Sequence, residues 1–366
     1  MASPTASPTL GRDARPPAPA TATVRPRRRA GLLQGGWARG GGLVVALGVL
    51  VLVCLASVAF GAKSIGFRTV LDALFSYDPS MDDHLIIRSL RIPRTLLGIG
   101  VGMGLGLAGA CMQGVTRNPL ADPGIFGVEA GAALAVVIGI FVFGVGSLTG
   151  YVWFAFLGAG IASTVVYGLG SLGRGGATPV KLALAGAAMA ALLTALTQAV
   201  LITDLATLDQ FRFWAVGSLA GRDGTIVRQV APFMAVGVVL ALLSGRGLNT
   251  LALGDDVARS LGQRVALARA TSGLAVIVCS GAAVAAAGPI GFVGLTVPHV
   301  ARAITGPDYR WILPWSLVLA PSLLLGADVI GRLVVRPGEL QVGIVTALLG
   351  APFFIALVRR RKLAEL

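Results

Sequence analysis

Residues 98–112 read GIGVGMGLGLAGACM, and the fold turns on how these glycines are taken. Gly104, Gly106 and Gly109 satisfy G-x-G-x-x-G, with Glu129 twenty residues further on, as in a dinucleotide-binding turn. That fingerprint needs a strand before it and a βαβ unit around it, whereas here the glycines sit inside one unbroken apolar run. The same stretch places Gly98, Gly102 and Gly106 at four-residue spacing. Residues so spaced share one helix face, and small side chains there let a second helix pack closely. The stretch therefore predicts a membrane helix with a packing face.

The rest of the chain agrees. Of 366 residues 55% are hydrophobic and 13% charged, and mean hydropathy is +0.83. Such a composition, with charge nearly absent from repeated stretches, predicts an all-α polytopic membrane protein. About ten spans are expected, at 42–60, 95–112, 131–144, 152–172, 182–202, 230–243, 271–287, 292–304, 312–330 and 342–358. Those near 131, 230 and 292 are shorter than the roughly 20 residues a straight crossing needs, so they borrow flanking residues or lie inside the bundle.

The net charge of +14 does not indicate nucleic acid, because the basic residues gather at span ends and in tails. With the N-terminus inside, 20 of the 30 Lys and Arg fall on the inner side, Arg174 and Arg359 to Lys362 among them, as the positive-inside rule requires. Residues 1–40 are expected to be a disordered, basic cytoplasmic tail able to touch anionic lipid, followed by a permease domain over 41–362. A cleaved signal peptide is disfavoured, since the run Gly42–Phe60 is long and lacks a small-residue cleavage site. Cys54, Cys111 and Cys279 lie in apolar spans and His84 and His299 are isolated, so no disulfide framework or metal site is indicated.

No G-x-x-x-x-G-K-[ST] occurs, so the chain carries no recognisable nucleotide-hydrolysing loop, and no carboxylate pair is expected inside the spans. Uphill transport would then draw its energy from a partner. The inner loop 244–270 contains LALGDDVARSLGQ, in which Asp255 or Asp256 can cap a short helix and Gly262 can end it. A helix that short, with Ala258 and Leu261 exposed, is marginal alone. It either docks on a partner or lies on the membrane. RNPLADPGIFGV (117–128) and GPIGFVGLTVPH (288–299) put Gly and Pro at membrane depth, where broken backbone is tolerated only inside protein or beside a watery cavity. Their faint likeness suggests an inverted repeat.

RIPRTLLGIGVGMGLGLAGACMQGVTRNPLADPGIFGVEAGA, FRFWAVGSLAGR, LALGDDVARSLGQRVA, GPIGFVGLTVPHVAR and ADVIGRLVVRPGELQVGIVTALLGAPFFIALVRR, in this order, resemble the iron-siderophore and vitamin B12 permease family of ABC importers, nearest its ferric enterobactin-type members. The resemblance covers residues 60–361. It implies type II importer architecture with ten helices and both termini cytoplasmic in a bacterial cytoplasmic membrane. It also implies two ATPase subunits that bind ATP and magnesium, a second permease, here favoured as a paralogue over an identical chain, and an extracytoplasmic siderophore-binding protein. No cofactor or catalytic group is expected in this chain. By the same resemblance Gly254, Ala258, Leu261 and Gly262 belong to the coupling segment that meets the ATPase. Arg91 and Arg94 of R-x-P-R, with Arg332, are expected on an exposed surface that docks acidic residues of the binding protein. The expected cargo is an iron(III)-siderophore chelate. Cobalamin or haem is the alternative within the class, and a self-contained secondary transporter the alternative outside it. Arg88 is left as a membrane anchor.

Overall fold

The computed structural model describes residues 31–61, 63–173 and 178–359. Residues 1–30 of the expected tail, Arg174, and Arg360 to Lys362 lie outside the described residues. All regular structure among the described residues is helical. Helix α1 (Gly36–Ala59) is followed by the short α2 (Phe67–Phe75) and α3 (Asp82–Ile86), and α3 runs through a π-turn at Ile87–Arg91 into α4 (Ile92–Thr116). A 3₁₀ turn at Pro123–Phe126 leads into α5 (Val128–Phe143), then α6 (Leu148–Ser171), α7 (Pro179–Thr203), α8 (Leu205–Ala215) and α9 (Gly224–Leu243). Two short helices, α10 (Gly245–Leu251) and α11 (Asp255–Ser260), precede α12 (Val265–Ala287), α13 (Val293–Thr305), α14 (Tyr309–Val334) and α15 (Val342–Arg359).

A helix stands at each of the ten predicted stretches. Seven of the described helices are long and apolar enough to cross a membrane, while α5 and α15 are apolar but shorter. Helix starts follow local chemistry. Asp204, Asp223 and Asp308 accept backbone N–H bonds at the first turns of α8, α9 and α14, and Thr178 caps α7 with Pro179 at its first position. The tail boundary needs correction: helix begins at Gly36, because Leu32 and Leu33 donate backbone bonds to Ala303 and Ile304 at the carbonyl end of α13 and tie the chain down there.

Helix α4 lies at the centre, with α9, α12, α13 and α14 around it. Its glycines divide among these neighbours. A Cβ on Gly98 would run into the Leu325 side chain, one on Gly102 would lie 2.5 Å from Cα of Pro321, and one on Gly106 would lie 2.5 Å from Cβ of Ala320. All three thus face α14. Gly104 faces the Cys279 carbonyl on α12, and Gly109 faces Gly294 on α13. The dinucleotide-like spacing is the footprint of three helix contacts. The lipid-facing positions of α7 and α9 stay apolar and exposed, as at Leu184, Leu192, Val236 and Val239.

Counting the turns before its π-segment, the helix ending at Thr116 is 35 residues long. That is about 50 Å, against a hydrocarbon core of about 30 Å. The surplus lies at its charged N-terminal end, which carries Arg88, Arg91 and Arg94.

Candidate functional site: two ends, a groove and a central cavity

Arg91, Arg94 and Arg332 do come together, at the N-terminal end of α4, but the expectation that they are exposed is corrected. Arg91 is 5% and Arg332 2% exposed. Arg91 donates to the carbonyls of Val58, Ala59 and Lys63, and a Cβ at Gly61 would lie 2.7 Å from its Nη2. Arg332 donates to the Ser57 and Phe60 carbonyls at 2.9 and 2.8 Å and lies 3.0 Å from Asp328 Oδ2. Arg94 grips Asp328 through Nε and Nη2 at 3.0 and 2.7 Å and reaches Glu339 at 2.7 Å. A guanidinium out of water must be matched by acceptors, and here the matching is internal. Only Arg94, 12% exposed at its side chain and beside the 30% exposed Glu339, retains a path to an outside acid. Arg88 is exposed and lies 4.4 Å over the Tyr77 ring, a cation–π contact rather than a charge pair.

At the other end, α11 is flanked by Gly254 (φ 100°) before it and Gly262 (φ 80°) after it; the Gly262 N–H bonds Arg259 O while the Gln263 N–H bonds Ala258 O. That left-handed stop suits glycine. Neither aspartate caps the helix. Asp255 instead accepts Arg269 at 2.8 Å and Arg117 at 3.3 Å, tying α11 to α12 and to the end of α4. Sequence reasoning missed this tie, since its three members span more than 150 positions. The expected exposure of Ala258 is also corrected. Ala258 is fully buried, and the exposed apolar group is Leu253, Val257 and Leu261, the last 64% exposed. Val257 and Leu261 are four apart and share the outer face, whereas Ala258 turns inward.

Along α15 runs an open apolar groove of about 550 Å³ lined by Val216, Gly343, Ile344, Ala347, Leu348 and Pro352, among others. It holds no charged side chain, so it suits a bulky cargo or a neighbouring helix bundle better than a small ion.

The two Gly/Pro breaks meet inside the bundle. A Cβ on Gly294 would lie 3.2 Å from Pro123 Cδ and 3.0 Å from the Leu105 carbonyl. Asp122 and Glu129 line the cavity between the breaks. No carboxylate pair is expected inside the spans; this one lies in the segment between the second and third of them, with Glu129 in the first turn of α5.

The profile of the FecCD transport family matches residues 49–360. The chain belongs to that family. It is 47% identical over 317 residues to the ferric enterobactin transport system permease protein FepD of Escherichia coli, an alignment covering 86% of this chain and 94% of FepD. It is 43% identical to the siderophore transport system permease protein YfiZ of Bacillus subtilis, over 87% of this chain and 95% of YfiZ. Identity to the iron(3+)-hydroxamate import system permease protein FhuB of the same organism is 44%, over 88% and 84% of the two chains. Among solved structures, a metal-chelate type ABC transporter in an inward-facing conformation matches with a TM-score of 0.77 and 27% identity, over 88% of this chain and 99% of that one. This FecCD-family chain is accordingly a multi-pass membrane permease.

Proposed function

We propose that the chain is the membrane-spanning subunit of an ATP-driven importer that carries an iron(III)-siderophore chelate across a bacterial cytoplasmic membrane. What supports the cargo class is that FepD, YfiZ and FhuB, named for enterobactin, siderophore and hydroxamate transport, align over nearly their whole lengths. In this reading α5, α13 and α15 complete ten crossings in a type II arrangement, both termini are cytoplasmic, and hydrolysis of magnesium-bound ATP takes place in partner subunits.

The observation that carries the mechanism is the tie at Asp255. An ATPase that grips Leu253, Val257 and Leu261 pulls on a helix joined by charge to Arg117 and Arg269. Its motion therefore passes to the ends of α4 and α12, and the packed bundle shifts as units rather than bending. The groove along α15 then lies against a second permease, a paralogue in our reading, and opens to either side in turn. A loaded binding protein docks at the opposite end, where Arg94 and Glu339 supply registry, and Arg91 and Arg332 hold the surface in shape from beneath.

Uptake of iron-labelled catecholate and hydroxamate chelates against labelled cobalamin and haem, in a strain lacking the gene, tests the cargo. Unchanged uptake of every iron-siderophore chelate would sink the assignment. Tagging the chain and identifying what co-purifies tests the partners. ATP-independent transport by the purified chain alone would favour a secondary transporter.

A further inference from the structure

The cavity where the two breaks meet has room for one water, about 10 Å³. Its wall comes from Leu105 of α4, Val128 and Glu129 of α5, Ser280 and Val284 of α12, the turn at Asp122 to Gly124, and Ile290 and Gly294 of the second break. No Lys, Arg or His lines it. Asp122 Oδ1 accepts the Gly124 N–H at 2.8 Å. The Glu129 carboxylate makes no hydrogen bond among the described residues. The two acids face each other across Gly124, where a Cβ would lie 3.0 Å from Asp122 Oδ1 and 3.8 Å from Glu129 Oε2.

Ser280 indicates what completes the site. It is 1% exposed, and its hydroxyl proton is spent on the Val276 carbonyl at 2.6 Å, so its oxygen meets the cavity as an acceptor. Three oxygen-bearing side chains line the cavity and none offers it a proton. A metal ion is a poor occupant, because hard cations take six or more oxygens and the remaining side chains here are aliphatic. A single proton, with one bridging water, needs no more than the three oxygens present. We propose that Asp122 and Glu129 hold one proton between them and form a latch that keeps the first break closed on the second.

With the proton in place, Pro123 packs on Gly294. Once it leaves to water, two negative charges face each other with no cationic side chain in the wall, and separation with entry of water becomes the better arrangement. The only bond made or broken is the carboxyl O–H. The latch thus links the contact of Pro123 with Gly294 at the start of α13 to the protonation state of the cavity, independently of which chelate is carried.

Infrared titration of the full chain in lipid nanodiscs, with hydrogen exchange read on the same samples, tests the proposal. The wild type is expected to show a protonated-carboxyl band that disappears on alkalinisation, while exchange at 122–128 and 288–294 rises above its intrinsic pH trend. Glu129→Gln, which keeps the shape, should lose that band and leave exchange on the intrinsic trend. Asp122→Asn keeps the acceptor for Gly124 and serves as the second variant should Glu129→Gln fold poorly. A wild type with no such band at any pH, a band unchanged in both variants, or an exchange change that follows sodium rather than pH would each overturn the latch.

Discussion

Asp328 is fully buried and Glu129 half-buried, and Asp328 faces two guanidinium groups while Glu129 faces none. The first belongs to a closed account of charge at the end of α4, where Arg91, Arg94 and Arg332 meet carboxylates or carbonyls at every turn. The second sits where α5 begins after a break and its surroundings supply no cation. A matched buried pair fixes geometry and is costly to break; an unmatched acid responds to what enters. One end of α4 is therefore built to stay as it is, and the cavity beside its middle is built to change.

The largest effect is expected at Asp328. Asp328→Ala strands Arg94 and Arg332 together, and a loss of about 3–5 kcal/mol is expected, read as a large fall in the thermal midpoint of the detergent-solubilised chain. Should the midpoint hold, the cluster is not the rigid element described. Glu129→Gln is the matching change at the cavity and removes no ionic partner, so a stability change within about 1 kcal/mol is expected at neutral pH. A loss comparable to that of Asp328→Ala would erase the contrast.

Smaller effects separate surface from support. Leu261→Asp should abolish pull-down of the ATPase at an unchanged midpoint, whereas Ala258→Glu should lower the midpoint as well, because it buries a charge. Equal behaviour of the two variants would contradict the inward turn of Ala258. Arg94→Glu should weaken capture of the loaded binding protein more than capture of the ATPase and, because it sets a third carboxylate beside Asp328 and Glu339, should lower the midpoint as well; pull-down with each partner and thermal unfolding check this. The smallest effect belongs to Asp308. Burial acts upward on its carboxyl, but the bonds from Arg310 and Asn249 outweigh that and hold it below the usual carboxylate range. Its contribution is present above the ordinary value of about 3.9 and fades as pH falls through the lower folded value. Asp308→Asn should therefore be destabilising near neutrality and nearly silent in strong acid, as followed by unfolding across pH.

How far the sequence could be read depended on the range of the interactions. The apolar stretches, the α4 glycine face and the Gly262 stop rest on neighbours within one or two turns, and their elements stand where the pattern put them. The burial of Arg91 and Arg332 was not legible, since the carbonyls that hold them, at Val58, Ala59 and Lys63 for Arg91 and at Ser57 and Phe60 for Arg332, come from a part of the chain well before either residue. The cavity escaped for the same reason: Ser280 and Gly294 reach Asp122 only once α12 and α13 have packed on α4. Ala258 was misjudged because the inward face of α11 is set by contacts remote in sequence, among them the bonds of Asp255 to Arg117 and Arg269.

The glycine face of α4 holds two positions with different prospects. Gly98 is confined by the tip of Leu325, so a larger residue there can be accommodated by a second, compensating change at 325. Gly102 is confined by the main chain of Pro321, whose N and Cα would lie 2.7 and 2.5 Å from an added Cβ, and no exchange of side chains on α14 clears main-chain atoms. Under random mutagenesis, position 98 should yield suppressor pairs while position 102 yields none.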